Sequence, residues 1–224
     1  MKTRRPRIAV IDYGAGNLRS ICRALSAVGA VPEVSADPLA VRTADGVVLP
    51  GVGAAGASME RLRESALVAP LHAALAAGKP FLGVCLGMQL LYGHQEEGDT
   101  EGLGVLPGRV RSLGPGVKVP QIGWNRVRLV ADGPLGRAGD DYDAYFVHSF
   151  IAEGVDPVDV VALSRYGEVF PSVVARGAVW GTQFHPEKSG DAGLGIVRTW
   201  VGLANVGEPL APAAAEPVAK AVPA

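Results

Sequence analysis

The chain has 224 residues, of which 48% are hydrophobic and 19% charged, and its formal net charge at pH 7 is −1. This composition predicts a globular protein with a sizeable core, and it argues against a polyanionic partner because the Lys and Arg residues are scattered. No segment reaches the roughly 18 consecutive apolar residues of a membrane helix. We therefore expect a cytoplasmic protein with neither a membrane nor a nucleic-acid partner.

The first part of the chain repeats a strand, turn and helix pattern, in which a short apolar run ends in a glycine turn before an amphipathic segment. The repeats are a strand at 7–12 with a helix at 18–28, a strand at 45–53 with a helical segment at 59–77, and a strand at 81–84 with a helical segment at 86–93. Three such units favour a parallel sheet with helices on its faces.

The pattern changes at about residue 102, where short apolar runs are split by Gly, Pro and Asp. These runs predict antiparallel strands appended to the sheet. A last helix is predicted at 192–204, followed by an Ala- and Pro-rich tail at 205–224 that we expect to be disordered. The predicted fold is α/β, a doubly wound and mostly parallel sheet with flanking helices, in one domain at 1–204.

The two cysteines have different surroundings. Cys22 lies at helical spacing among apolar residues, which predicts a small core residue. Cys85 stands in a Gly-x-Cys-x-Gly pattern where a strand ends and a helix begins, which is typical of a nucleophile elbow. A sulfur at a helix N-terminus is favoured as thiolate, and the following Leu86 N–H would face a developing oxyanion. The pattern alone equally allows a buried structural thiol.

One of the four histidines follows an apolar run that ends in "FHPEKS". On an extended chain His185 and Glu187 would face the same side, so that the carboxylate can orient the imidazole. The alternative is a strand-end histidine with a solvated glutamate. The catalytic interpretation is favoured because Cys85 also lies at a strand end, where open α/β sheets carry their sites. His72 and His94 are expected in or at the ends of helical segments, without a catalytic role.

Together, "PFLGVCLGMQLL" and "HPEKS" resemble the class I glutamine amidotransferases. Four further stretches narrow the resemblance, over about residues 7–204, to the glutaminase subunits of imidazole glycerol phosphate synthase: "IDYGAGNLRSI", "LPGVGAAGASM", "VPQIGWN" and "YFVHSF". The resemblance implies hydrolysis of L-glutamine to L-glutamate and ammonia. Cys85 would be the nucleophile, His185 the acid and base, and Glu187 the group that orients the ring.

The resemblance also implies further site residues, but no metal and no cofactor. The oxyanion hole would be formed by Leu86 with the loop Gly51, Val52 and Gly53. Glutamine would be held by Gln89, by Glu97 at its α-ammonium group, and by the backbone of His148, Ser149 and Phe150. Taken without the resemblance, the glycine loop is an ordinary turn, and Gln89 and Glu97 are ordinary polar residues.

A partner is implied because ammonia loses its nucleophilicity when it is protonated in water, and the chain has no phosphate-binding synthase domain. The resemblance implies a (β/α)8-barrel cyclase subunit in a heterodimer, which forms imidazole glycerol phosphate and an aminoimidazole carboxamide ribotide in histidine biosynthesis. The positions that match the interface are Asn17, Trp124, Tyr145 and Lys188. Gln121 and Phe150 depart from the His and Tyr that the family pattern predicts.

Two alternatives remain open. The chain could serve another acceptor synthase, as in vitamin B6, folate or anthranilate synthesis. It could also be a non-catalytic scaffold that binds a barrel partner, although the intact Cys85, His185 and Glu187 argue against this.

Overall fold

The computed structural model describes residues 4–205, which form two β-sheets with flanking helices. The last helix ends at Asn205, one residue beyond the predicted domain boundary. The rest of the predicted tail, 206–224, lies outside the described residues.

The described residues contain the following strands and helices. The strands are β1 (Arg7–Ile11), β2 (Val31–Ser35), β3 (Gly46–Gly51), β4 (Phe81–Cys85), β5 (Tyr92–Gln95), β6 (Thr100–Glu101), β7 (Leu106–Ser112), β8 (Gln121–Leu129), β9 (Asp141–His148), β10 (Phe150–Glu153), β11 (Val160–Tyr166), β12 (Glu168–Arg176) and β13 (Val179–Thr182). The α-helices are α1 (Leu18–Ala27), α2 (Pro38–Thr43), α3 (Ala55–Glu64), α4 (Val68–Ala76), α5 (Leu86–Gln89) and α6 (Gly190–Asn205). Two 3₁₀ turns span Pro157–Asp159 and Pro186–Lys188.

The larger sheet has the strand order β2-β1-β3-β4-β13-β12-β11-β8-β9. Its pairs from β2 to β13 are parallel and those from β13 to β9 are antiparallel, so the predicted α/β class is confirmed. Within the parallel part, Gly51 at the end of β3 is in register with Cys85 at the end of β4, and Thr182 of β13 is in register with Val84. The carboxyl ends of three neighbouring strands therefore meet at one edge, which is where open α/β sheets bind ligands.

A smaller sheet, in the order β10-β7-β5-β6, lies beside the larger one. It corrects the expectation for His94, which lies on β5 and not at a helix end. The helix predicted at 86–93 stops at Gln89 because the next residues have partners elsewhere: Leu103 N donates to Leu90 O at 2.7 Å, and Val105 N donates to Leu91 O at 2.8 Å.

The core consists of two apolar clusters, one on each face of the larger sheet. On β1, Ala9 and Ile11 belong to one cluster, and Ile8 and Val10 to the other. Burial on both faces explains why the inner parallel strands β1, β3 and β4 are largely apolar and do not alternate with polar residues. Cys22 is half-buried and packs against the edge of the second cluster. The predicted core residue therefore lies at the periphery of the core.

The helical segment predicted at 59–77 is two helices, α3 and α4. The break occurs at Ala66, which has a left-handed φ of 53°. Ala66 N donates to Arg63 O at 2.9 Å and Leu67 N to Leu62 O at 2.9 Å, the pattern of a Schellman motif. Glycine is the usual residue at the left-handed position of this motif, so an alanine there does not signal the break.

Candidate active site

Cys85 forms a sharp elbow between β4 and the single turn of helix α5. Its φ of 55° and ψ of −110° lie outside the regions that a residue with a side chain normally occupies. Such strained backbone is concentrated at functional sites. The turn predicted from the Gly-x-Cys-x-Gly pattern is therefore present.

The neighbouring glycines make this elbow possible because backbone segments approach each other there without room for a side chain. A Cβ atom on Gly87 would collide with Leu49 O, and one on Gly83 would lie 2.6 Å from Gly87 O. On the facing strand, a Cβ on Gly51 would lie 2.7 Å from Gly87 N. The glycine spacing thus brings the end of β3 against the start of α5.

The Cys85 sulfur is buried and has two polar neighbours. Its Sγ donates to Val147 O at 3.5 Å, and it lies 3.9 Å from the side-chain nitrogen of Gln183. Gln183 was not identified from the sequence, although it stands only two residues before His185.

His185 and Glu187 form a buried pair next to Cys85. His185 Nδ1 lies 2.9 Å from Glu187 Oε1, and the two side chains are only 5% and 2% exposed. The predicted pairing is present, but its predicted geometry was wrong: Glu187 lies in the 3₁₀ turn Pro186–Lys188 and not on an extended chain. With Nδ1 turned to the carboxylate, Nε2 remains for the sulfur and the substrate.

The protonation of His185 is set by opposing effects. Burial lowers the pKa of the imidazole, but hydrogen bonds and charge interactions with Cys85 and Glu187 outweigh it and raise this pKa to about 10. The ring therefore holds a proton at neutral pH, as the acid that protonates a leaving amine must.

A cavity of about 260 Å³ opens over Cys85. Its lining is Val52, Gly53, Cys85, Leu86, Gln89, Glu97, Pro120, Val147, His148, Ser149, Phe150, His185 and Lys188. Every predicted oxyanion and glutamine-binding residue except Gly51 is in this set. Pro120 and Val147 were not anticipated.

Several polar residues of the cavity wall are held by hydrogen bonds. Gln89 Nε2 donates to Phe150 O at 2.9 Å, and Glu97 Oε2 accepts from Ala55 N at 2.8 Å, at the first residue of α3. The Glu97 carboxylate thus faces the cavity while it also satisfies a helix N-terminus.

His148 connects this wall to Gln121, one of the two residues that depart from the family pattern. Its ring nitrogens lie 2.9 Å from Phe150 O and 2.9 Å from the Gln121 carboxamide. Burial lowers the pKa of His148 to about 4, so the ring is neutral at neutral pH. A carboxamide can present either its NH₂ or its oxygen, and Gln121 therefore replaces the expected histidine as a partner for either protonation state.

The residue before the loop at 51–53 is held by a hydrogen bond from Tyr13, which was not predicted as a site residue. Tyr13, which is buried, donates its hydroxyl to Pro50 O at 2.8 Å. Burial raises the pKa of Tyr13 to about 12, so the hydroxyl remains a donor at neutral pH. Beyond this anchor the loop opens to solvent, with Val52 44% exposed.

Of the four predicted interface residues, Lys188 lines the cavity. Trp124 is 61% exposed and meets Tyr145 edge to face, with 6.1 Å between the ring centroids. Lys188 Nζ lies 5.8 Å from the Tyr145 ring centroid, and Tyr145 O accepts from His185 N at 3.0 Å. Asn17 precedes α1, which packs against the 3₁₀ turn Pro186–Lys188.

Within residues 4–205 no three His, Cys, Asp or Glu side chains are grouped as a metal site. None of the helices in that range is both long and apolar enough to span a membrane.

Comparison with known proteins places this chain in a family. Residues 9–198 match the model of the family described as glutamine amidotransferase class-I. The "Imidazole glycerol phosphate synthase subunit HisH" of Symbiobacterium thermophilum is 51% identical over 197 residues, which cover 87% of this chain and 92% of that protein. The protein of the same name from Synechococcus elongatus is 47% identical over 201 residues, covering 88% and 93%.

Solved structures agree on the fold. A "Crystal structure of glutamine amidotransferase" superposes with a TM-score of 0.72 at 20% identity, covering 88% of this chain and 99% of that chain. The "Structure of PurLQS from Thermotoga maritima" gives a TM-score of 0.71 at 20% identity, covering 89% and 99%. The extent and identity of these matches show that the chain belongs to the class I glutamine amidotransferases and, within them, to the HisH subunits of imidazole glycerol phosphate synthase.

Proposed function

We propose that the chain hydrolyses L-glutamine to L-glutamate and ammonia at Cys85, and that it supplies the ammonia to a (β/α)8-barrel cyclase subunit in the cytoplasm. The observation that carries the proposal is the elbow at Cys85, with the buried His185–Glu187 pair beside it at one cavity. Two cysteines without a disulfide are in keeping with a reducing compartment.

The proposed reaction has two halves. The Cys85 thiolate attacks the side-chain amide carbon of glutamine, His185 Nε2–H protonates the departing nitrogen, and ammonia leaves a γ-glutamyl thioester. His185, now neutral, takes a proton from water, whose oxygen attacks the thioester and releases glutamate. The thiolate and the imidazolium are then restored. Glu187 holds the ring in one orientation through both halves.

The oxyanion formed in each half needs hydrogen-bond donors. Leu86 N–H follows the elbow directly, and Val52 and Gly53 of the 51–53 loop line the same cavity. Backbone donors aimed at a developing charge are among the largest contributions to catalysis of acyl transfer. In this proposal Gln89, Glu97 and residues 148–150 hold the substrate's amino and carboxylate end.

A protein partner is supported by the exposed apolar surface around the site. Ile122 is 63% exposed and Trp124 is 61% exposed on the same strand, β8, and Val119 and Val52 are also exposed. Exposed apolar residues grouped together mark interaction surfaces. Val52 lines the cavity, and Val119 precedes Pro120, which also lines it.

The test is ammonia release from glutamine by the purified chain, alone and mixed with a candidate barrel cyclase, with and without the nucleotide ligand of that cyclase. We expect release that depends on the partner and disappears in Cys85→Ala. Unchanged release by Cys85→Ala in the complex would refute the proposed nucleophile. Failure of a glutamine analogue to label Cys85 would favour the non-catalytic scaffold.

A further inference from the structure

Gln183 is a fully buried polar residue that the mechanism above does not use. It follows β13, its backbone N–H donates to Ser172 O at 3.0 Å, and its exposure is 0%. A carboxamide at such a position must find its hydrogen-bond partners inside the protein, because burying it unpaired costs free energy.

The orientation of this carboxamide is fixed by its neighbours. Phe150 O is a backbone carbonyl and can only accept, so the Gln89 group that lies 2.9 Å from it is the NH₂. The same Gln89 nitrogen lies 3.1 Å from the Gln183 carboxamide, which must therefore present its oxygen. The NH₂ of Gln183 is consequently turned to the other side, towards Cys85.

On that side, the sulfur of Cys85 at 3.9 Å is the one hydrogen-bond partner of Gln183 Nε2 among residues 4–205. A thiolate accepts such a bond more strongly than a thiol, because hydrogen bonds to charged acceptors are the stronger ones. We propose that Gln183 is a positioning residue, which donates to the Cys85 thiolate and at the same time holds Gln89 against Phe150. This inference rests on the proposed role of Cys85 as nucleophile.

The substitutions at position 183 leave the other ionisable side chains near the sulfur unchanged. These side chains are Tyr13, Glu97, His148, His185, Glu187 and Lys188. A difference between variants at position 183 therefore reports on the carboxamide.

The experiment measures the rate at which iodoacetamide alkylates Cys85 in the full chain at neutral pH, with the two cysteines followed separately by peptide mass spectrometry. Gln183→Met removes both hydrogen bonds at similar size, and Gln183→Glu keeps an oxygen for Gln89 while it removes the donor facing Sγ. We expect alkylation to slow by about tenfold or more in Gln183→Met, and further in Gln183→Glu. Cys22 serves as the internal reference and should react at an unchanged rate.

Gln95→Met is the matched control. Gln95 is also fully buried, and its side chain donates to Gln89 O at 2.8 Å, but it has no hydrogen bond to Cys85. We expect this variant to lower thermal stability and to leave Cys85 alkylation within about twofold of the parent. If alkylation of Cys85 slowed as much in Gln95→Met as in Gln183→Met, the effect would be due to altered packing, and the inference would be overturned.

A kinetic measurement in the complex separates the two contacts of Gln183. Loss of the donor to sulfur should lower kcat in both variants, whereas loss of the Gln89 contact should raise KM mainly in Gln183→Met. Unchanged alkylation and kcat in either folded variant would overturn the positioning role. The proposed function fails differently, through glutamine turnover that persists in Cys85→Ala.

Discussion

At the scale of single residues, the His185–Glu187 hydrogen bond determines which ring nitrogen faces the cavity over Cys85. In Glu187→Gln the carboxamide can present its NH₂ to Nδ1 and so favour the wrong tautomer, and the imidazolium loses its counter-charge. We expect kcat for glutamine hydrolysis in the complex to fall about 100-fold or more, with little change in KM.

Thermal unfolding of Glu187→Gln provides the control, since an unfolded variant would also be inactive. A folded variant with the kcat of the parent would contradict the orienting role of this carboxylate.

His148 should make the free energy of unfolding depend on pH. Its pKa is lowered by burial from 6.5 to about 4, so between these values the unfolded chain takes up a proton that the folded chain does not. The free energy of unfolding should therefore decrease as pH falls from about 6.5 towards 4, by up to about 1.4 kcal/mol per pH unit from this group.

Urea unfolding of the parent and of His148→Gln across this pH range measures that contribution. The variant should show a flatter decrease, and His72→Gln, at an exposed position on α4, should follow the parent. Parallel curves for all three proteins would mean that His148 is not the titrating group.

At the scale of elements, the contact between the end of β3 and the start of α5 depends on glycine. Gly87→Ala would place a methyl group against Leu49 O, which neither backbone segment can avoid without moving. We expect a loss of about 1–3 kcal/mol in the free energy of unfolding, together with a large loss of kcat because the elbow shifts.

Gly202→Ala is the matched change, because a Cβ on Gly202 in α6 meets no atom within 4 Å. It should be neutral or stabilising by up to about 1 kcal/mol. Equal effects of the two substitutions on stability would contradict the proposed close contact.

The elements that sequence analysis found are those with a local signal. The strands at β1, β3 and β4 are continuous apolar runs, and the elbow has glycines at fixed spacing around Cys85. The break at Ala66 was missed because alanine there gives no sign of a left-handed turn. The strand β2 was missed because it is an edge strand in which no residue is fully buried.

The site residues that could and could not be predicted from the sequence differ for the same reason. Cys85, His185 and Glu187 stand in short motifs that a linear sequence displays. The hydrogen bond that Gln89 donates to Gln183 and the one between His148 and Gln121 join positions 94 and 27 residues apart, and no local sequence pattern indicates them. Such contacts are created by the order of strands in the sheet.

At the scale of the whole molecule, the surface around the site should determine partner binding. Trp124→Ala removes a largely exposed indole that packs against Tyr145. Tryptophan is enriched among the residues that contribute most to interfaces, so we expect the Kd for the cyclase to rise about tenfold or more.

Calorimetric titration against the cyclase measures this effect. Val158→Ala, at a residue that is also 61% exposed but on a different element, should leave the Kd unchanged. If Trp124→Ala binds the cyclase as tightly as the parent, the partner docks on another surface.

The backbone conformation of Cys85 reduces the stability of the fold. A left-handed φ of 55° at a residue with a Cβ costs about 1 kcal/mol or more, which glycine avoids. Cys85→Gly should therefore be more stable than Cys85→Ala, although we expect both variants to be inactive. In a chain that no longer needed glutaminase activity, glycine would therefore be the more stable residue at position 85.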